Sequence, residues 1–262
     1  MTDGTSTSPT PPAPGASTRG PKRWWIIGGV AAALLVLGGV AIWYFVFRDT
    51  APPPVNIEKA SESVEPSEPS GTTTGAAGAL SGTWTVDTSV GSFDDFSSAF
   101  VGYRVNEELV GVGAQTAFGR TPDVSGTMVI DGTTATKAAF DADLSTLESD
   151  EPFRDGTLGG QSLETDRFPT ATFTLSEPIQ FGSVPSGGET VKVDATGTLT
   201  LHGVSRDVTI PLDAKFVNDV IVVTGLLEIQ FADYGIEKPV AGRVLSIEDR
   251  GQMELQLFFT KQ

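Results

Sequence analysis

The sequence predicts an all-β fold over residues 81–262, an antiparallel barrel or sandwich that is preceded by one transmembrane helix. Short runs within this region alternate apolar and polar side chains, which is the period of a strand with one buried face. Glycine-containing turn sequences separate the runs, as they do between antiparallel strands. A long uncharged apolar run, residues 24–47, precedes the whole region.

Composition excludes several classes of function. The chain has 262 residues, no cysteine, one histidine and a formal net charge of -16. An acidic surface repels phosphate backbones, so we expect no nucleic-acid binding. Without cysteine there are no disulfides, thiolate metal sites or cysteine nucleophiles. A single histidine does not make the usual multi-histidine site, so we expect no metal centre.

The N-terminal part of the chain predicts a membrane anchor. Residues 1–21 are almost entirely Thr, Ser, Pro, Gly and Ala, which predicts a disordered tail. As a helix, residues 24–47 would be about 36 Å long, enough to cross a hydrocarbon core of about 30 Å. The run is too long for a signal peptide, and no A-x-A-like cleavage site follows it. We therefore assign residues 22–48 to a retained anchor.

Flanking cations predict the orientation of this anchor. Arg19, Lys22 and Arg23 precede the span, whereas only Arg48 follows it closely. The positive-inside rule then places the tail in the cytoplasm and the C-terminal domain outside, in a single-pass protein of the cell membrane. Residues 49–80 contain prolines, glutamates and a glycine-rich stretch, so they are predicted to form a flexible acidic linker.

Alternation predicts several strands in the C-terminal domain. It is clearest in four runs, residues 138–144, 171–175, 227–231 and 253–259. Asp131-Gly132 joins two strand-like runs and predicts a hairpin. Residues 150–166 break the pattern and are predicted to hold a short helix or a long loop.

The stretch GTLTLHGVSRDVTIPL, residues 197–212, contains the only histidine. Alternation continues on both sides of the segment His202–Ser205, and Gly203 supplies the conformational freedom that a chain reversal needs. His202 is therefore predicted to be a turn or rim residue rather than part of a reactive site.

An enzymatic function is the weaker alternative, because nothing in the sequence pairs a nucleophile with a base. No G-x-S-x-G-like elbow is present. The polar candidates are Arg154, Asp155, His202, Arg206, Asp207, Asp233 and Glu237. We expect the Arg-Asp pairs to stabilise loops, and we assign no catalytic residue.

An ordered set of segments resembles the YceI-like family, whose lipocalin-like barrels are associated with isoprenoid lipid binding. The segments are WTVD from Trp84, FRDGTLGG from Phe153, FPTATF from Phe168, GTLTLHGVSRDVTIPL from Gly197 and ADYGI from Ala232. The resemblance covers essentially residues 81–262. The chain departs from the family pattern at Thr157, near the place of a frequent histidine, and at Phe231, where the family often has arginine.

The resemblance implies a domain that sequesters or carries an isoprenoid lipid or a quinone in a barrel cavity, with no other cofactor, and the predicted anchor would tether this domain to the membrane. The inward residues expected to line the cavity are Phe140, Ala142, Phe173, Leu199, Leu201, Leu227, Ile229, Leu255 and Leu257. Arg154 and His202 are candidate contacts for the headgroup. In the alternative, the same apolar residues fill a closed core, and the protein is a non-catalytic envelope scaffold or stress-related protein without a ligand.

Overall fold

Tight turns divide the chain beyond residue 80 into a series of strands. The computed structural model describes residues 34–40, 49, 51–64, 80–183, 185 and 188–262. Within these residues the strands are β1 (Gly82–Val86), β2 (Phe100–Leu109), β3 (Gly113–Thr121), β4 (Val124–Asp131), β5 (Thr134–Asp143), β6 (Thr170–Leu175), β7 (Ile179–Gln180), β8 (Val191–Leu201), β9 (Val204–Val217), β10 (Val220–Gln230), β11 (Val244–Ile247) and β12 (Arg250–Lys261).

Eight of these strands close into a barrel. They pair in the order β1-β4-β5-β6-β8-β9-β10-β12, and β12 pairs back with β1. Every strand pair in the described part of the chain is antiparallel. The long strand β12 also pairs with β2, which carries β3 and β11. The predicted all-β antiparallel barrel is confirmed, and the predicted β4–β5 hairpin forms at Asp131-Gly132.

Helical segments are short. The described ones beyond residue 48 are α1 (Ile57–Glu62), α2 (Pro152–Thr157), a π turn (Leu158–Ser162) and two 3-10 turns (Leu144–Thr146 and Phe231–Tyr234). Helix α2 and the π turn occupy the region where the sequence predicts a short helix or a long loop. The Glu151 side chain caps α2 by accepting a hydrogen bond from the Phe153 N–H.

Most of the predicted anchor lies outside the described residues. Of residues 22–48, the structure describes residues 34–40, which are helical, and the tail 1–21 is not described. Among the described residues, no helix combines the length and the apolar character that a membrane span requires.

Residues 51–64, here called the strap, are ordered against the outside of the barrel. This corrects the prediction that the flexible linker begins at residue 49, whereas residues 65–79 lie outside the described part of the chain. Asn56 caps α1 with its side-chain oxygen, and Ile57 and Ala60 are buried one helical turn apart. The strap is fixed because it buries an apolar face, which its polar composition conceals.

The strap covers a buried ionic cluster on the outer face of β2, β3 and β12. The Nε of Arg120 lies 2.7 Å from Oε1 of Glu254, and their side chains are 3% and 0% exposed. Phe96 and Phe100 both contact the Arg120 guanidinium, with ring centroids 4.4 and 4.3 Å from it and 6.1 Å from each other. Arg104 Nη1 donates to the Pro52 carbonyl over 2.7 Å.

The two ends of the barrel are named here by their turns. The turn His202-Gly203 joins β8 to β9 and marks the His202 end. The turn Asn218-Asp219 joins β9 to β10 and marks the Asn218 end. The strap runs between them, because Pro52 contacts β2 in its middle whereas the Val64 carbonyl accepts a hydrogen bond from Asn218 Nδ2.

Candidate functional site

The lumen is the space enclosed by the eight barrel strands, and strand register places all nine predicted cavity residues on its wall. Phe140, Phe173 and Leu199 lie opposite one another in one row across β5, β6 and β8. Leu257 lies opposite Val223 in another row. Because residues directly opposite across antiparallel strands share a face, the nine residues belong to the same inner surface.

The lumen is not completely filled by these side chains. Of the nine residues, Ala142, Leu199, Leu201 and Leu257 are buried, whereas the other five are only half-buried although they face inward. Partial exposure of inward apolar side chains indicates free space along the middle of the barrel.

Aromatic rings lie over glycines on the wall and so leave this space open. Strand β2 continues the inner face beside β12, because Tyr103 lies opposite Met253, which in turn lies opposite Leu227. A Cβ atom added to Gly197 would lie 2.5 Å from Cζ of Phe173, and one added to Gly119, which pairs with Tyr103, would lie 2.5 Å from Cε1 of that tyrosine. Each ring therefore rests on a neighbouring strand at a position where only glycine leaves room for it. The rings widen the lumen by lying along its wall.

A cavity of about 90 Å³ lies inside the barrel at the Asn218 end. None of the nine predicted residues lines it. The lining residues that the sequence analysis missed include Met128, Ile130, Ile179, Phe181, Leu212 and Phe216. The signal was present in β8, where Val191 and Val193 alternate with polar residues, but alternation does not distinguish the two ends of a strand.

The predicted turn residue His202 is a turn residue, and its side chain joins three segments. His202 and Gly203 have φ values of 52° and 72°, as a two-residue hairpin turn with the strand twist requires. The ring Nδ1 lies 3.0 Å from the Tyr234 carbonyl, and Nε2 lies 3.1 Å from Oε2 of Glu164. Both partners are acceptors, so the two hydrogen bonds form together only when both ring nitrogens carry hydrogen.

Residues 231–236 lie where β9 and β10 separate near the His202 end. Pairing of these strands ends at Leu212, next to Pro211, which has no N–H to donate. Tyr234 fills the opening and packs against Leu199 and Leu201. Its hydroxyl is buried without a hydrogen-bond partner among the described residues. The histidine, with Arg206 Nε donating to the Asp233 carbonyl over 3.0 Å, holds this segment in place.

Arg154 lies on α2 and is already paired with carboxylates. Its Nη1 lies 2.7 Å from Asp150 and its Nη2 lies 3.1 Å from Glu107. Burial opposes the charge, but the hydrogen bond to Asp150 and the charges of Glu107 and Asp150 raise the pKa of Arg154. The guanidinium is therefore a neutralised group beside the lumen rather than an unpaired anion site.

The remaining polar candidates do not converge on one reactive centre. Asp155 accepts from the Ser149 N–H, Asp207 accepts from Thr198 across the β8–β9 hairpin, and Asp233 contributes its carbonyl to Arg206. Within the described residues, no three His, Cys, Asp or Glu side chains are grouped as a metal site would require. The geometry is that of a binding barrel with a polar, hydrogen-bonded rim.

An apolar lumen inside a closed antiparallel barrel defines a lipocalin-like protein. The family model described as the YceI-like domain matches residues 83–259, and the chain belongs to this family. No curated protein matches the sequence.

Solved structures resemble the chain at low sequence identity. A polyisoprenoid binding domain from Saccharophagus degradans, implicated in plant cell wall breakdown, is 21% identical with a TM-score of 0.50, and the match covers 68% of this chain and 98% of that one. BcnA from Burkholderia cenocepacia is 19% identical with a TM-score of 0.47, covering 61% and 95%. The Campylobacter jejuni YceI protein is 18% identical with a TM-score of 0.45, covering 55% and 85%. The first of these supports the barrel fold.

Proposed function

We propose that the barrel binds an isoprenoid lipid or a quinone in its lumen and holds it outside the cytoplasm, close to the membrane. The observation that carries this proposal is the lumen itself, which has free space along an apolar wall and a cavity at the Asn218 end. A chain without polar groups would gain about 25 cal/mol for each Å² that it removes from water there, before the costs of association.

The size of the cavity indicates how such a ligand would lie. About 90 Å³ is well below the roughly 300–1,000 Å³ of ordinary ligand pockets. A long apolar chain would therefore extend from this cavity along the middle of the barrel, past the half-buried side chains of Phe140, Phe173 and Leu255. The related Saccharophagus degradans domain is described as polyisoprenoid binding, which supports this class of ligand.

The rim at the His202 end is where we place the polar end of the ligand. Arg154 and His202 stay candidate headgroup contacts, but each already has partners that a ligand would have to share. Carboxylates surround Arg154, which disfavours a phosphate and favours a neutral oxygen-bearing headgroup such as a quinone carbonyl.

Residues 24–47 form the membrane anchor in this proposal, with the barrel on the extracytoplasmic side. In residues 34–40 the apolar side chains of Leu34, Leu35 and Leu37 are exposed, as lipid contact would require. Protease added to intact cells should remove the barrel, and an alkaline wash should leave the chain in the membrane. If the barrel were digested only after cell lysis, the orientation would be the reverse of the one proposed.

The test of ligand binding uses residues 49–262, which form one compact unit that includes the strap. The protein is purified without detergent from a host that makes quinones and polyprenyl lipids, and an organic extract is analysed by mass spectrometry. A stoichiometric isoprenoid species is the expected result, and heat-unfolded protein is the control. A clean extract and no uptake of added quinone or polyprenol would favour the packed-barrel scaffold.

A further inference from the structure

Four large apolar side chains of the barrel domain are exposed to solvent at one end. Val110, Phe153, Val240 and Leu245 are between 53% and 86% exposed. They are the large apolar residues beyond residue 48 that stand out as exposed in the described part of the chain. Scattered exposed residues of this kind are ordinary, but a cluster at one place marks an interaction surface.

Hydrogen bonds and strand pairing bring the four residues together at the His202 end. Val110 follows β2, and its N–H donates to the Arg243 carbonyl. Leu245 lies at a bulge of β11, beside Leu109. Phe153 precedes Arg154, which reaches Glu107 on β2, and the Val240 N–H donates to Gln161 just after α2. The four residues form what is called here the apolar rim.

The course of the strap gives independent information about the same end. Pro52 is bound at Arg104, and the strap then runs toward the Asn218 end. Five Cα–Cα steps separate Phe47, the last residue of the predicted span, from Pro52, so this stretch reaches about 18 Å at most.

That length restricts which end of the barrel can approach the membrane. Arg104 pairs with Gln252, and β12 continues from Gln252 to Lys261 at the Asn218 end. At about 3.3 Å per residue and a strand tilt of about 40°, this stretch of β12 extends about 23 Å along the barrel axis. In the other direction, β2 ends at Leu109, about 13 Å along the axis. A tether of about 18 Å is therefore too short to reach a bilayer beyond the Asn218 end, whereas it is long enough to reach one at the His202 end.

We propose that the apolar rim inserts into the surface of the bilayer, so that the His202 end of the barrel docks on the membrane. The inference rests on the anchor of the proposed function, and it extends that function by assigning the route through which a lipid moves between the bilayer and the lumen. Acidic residues such as Glu108, Glu151 and Glu248 flank the rim, so apolar insertion drives docking, and anionic lipid headgroups contribute little.

The experiment uses the full chain in vesicles of neutral phosphatidylcholine. The chain has no cysteine, so one introduced cysteine carries a spin label at a unique position. Val240→Cys reports on the apolar rim, and Asp131→Cys, exposed beside the β4–β5 turn at the Asn218 end, is the matched control. The label at residue 240 should be several-fold more accessible to oxygen than to a water-soluble nickel complex, and the label at residue 131 should show the reverse.

Other outcomes separate the docking from the anchor. A nickel-accessible label at residue 240 in membrane-inserted protein would overturn the docking, although the anchor holds. A label shielded from both reagents would indicate a protein partner or a second copy, which also overturns a lipid occupant. If an alkaline wash releases the chain from the vesicles, the anchor has failed, and docking is then tested with the released chain. Flotation of that chain with vesicles, and its loss in a Val240→Asp/Leu245→Asp variant, would support docking. Absence of flotation would overturn docking as well.

Discussion

Both faces of strand β12 carry fully buried side chains, but for different reasons. On the inner face, Leu257 and Phe259 are 4% and 1% exposed and contact other apolar side chains across the lumen. On the outer face, Glu254 and Phe258 are both fully buried, under the strap and the segment that carries Phe96. The inner face follows from the barrel alone, whereas the outer face needs a cover supplied by residues before the barrel.

This difference shows that the barrel wall borders two buried regions, the lumen on its inner side and a layer beneath the strap on its outer side. The lumen is apolar and partly open, as a binding site requires. The outer layer is closed and contains the pair Arg120–Glu254, in which the opposite charges compensate each other and two aromatic rings contact the guanidinium, although Oε2 of Glu254 has no hydrogen-bond partner among the described residues. Stability is expected to depend more on the outer layer, and ligand binding more on the inner one.

Removal of the strap should give the largest effect. A chain of residues 65–262 lacks Ile57, which packs in the buried cluster with Phe258 and Val222. It also lacks the strap carbonyls that accept hydrogen bonds from Arg104 and, at the following residue, from Arg120 Nη2. We expect it to be less stable than residues 49–262 by about 5 kcal/mol, from lost apolar burial and charge-assisted hydrogen bonds. Urea unfolding measures the difference. Equal midpoints would show that the outer face needs no cover.

Loss of one partner of the buried ion pair should cost somewhat less. Glu254→Ala leaves Arg120 as an uncompensated buried charge, which should destabilise the domain by about 3 kcal/mol. The double variant Arg120→Met/Glu254→Leu should recover most of this loss. Glu228→Ala, at an exposed pair with Arg250, is the control, and we expect a change of at most about 0.5 kcal/mol. Similar effects for Glu254→Ala and Glu228→Ala would refute the importance of the covered pair.

A change on the inner face should affect binding more than stability. Gly119→Ala pushes the Tyr103 ring off the wall and into the lumen, since the new Cβ meets three atoms of that side chain. We expect a loss of about 1–2 kcal/mol in stability and a reduced uptake of quinone or polyprenol. Gly156→Ala on α2, where a Cβ has open space, is the control and should keep full uptake. Unchanged uptake in folded Gly119→Ala would place the ligand away from this part of the lumen.

A change at the His202 end, away from both faces of β12, should have the smallest effect on stability. Hydrogen bonds from Arg167 and then from His202 hold the pKa of Glu164 below its usual value. A lowered carboxyl pKa stabilises the fold above the unfolded-state pKa of about 4.3, and this contribution disappears as pH falls through the folded-state pKa. Melting temperatures of Glu164→Gln and the parent chain should therefore differ slightly at pH 7 and converge below about pH 4. A constant difference at all pH values would exclude this ionic contribution.

Much of the barrel could be predicted because the inner face repeats every second residue. The rows through Leu199, Leu255 and Phe140 follow from alternation, and His202-Gly203 follows from a glycine between two such runs. The turn is shorter than predicted, since Val204 already pairs with Leu201.

The strap and the cavity could not be predicted in the same way. The strap has the proline and glutamate content of a linker, and its fold depends on β2, β9 and β10, which lie far away in the sequence. The signal that was available is Asn56 followed by Ile57 and Ala60, a capped helical turn with one apolar side. The position of the cavity depends on which rows are filled, and alternation assigns a side chain to a face but not to a depth along the barrel.

Closure of the barrel by β1 and β12 joins the first and last strands of the domain. The partner of Trp84 is Lys261, so the seam cannot form before residue 261 has been synthesised. The strap also lies over strands that include this last one. Contacts between such distant segments slow folding, and the apolar edges of the unfinished sheet stay unpaired meanwhile. Until β12 has been made, the unpaired edges of β1 and β10 are therefore the segments of the emerging chain that are most exposed to aggregation.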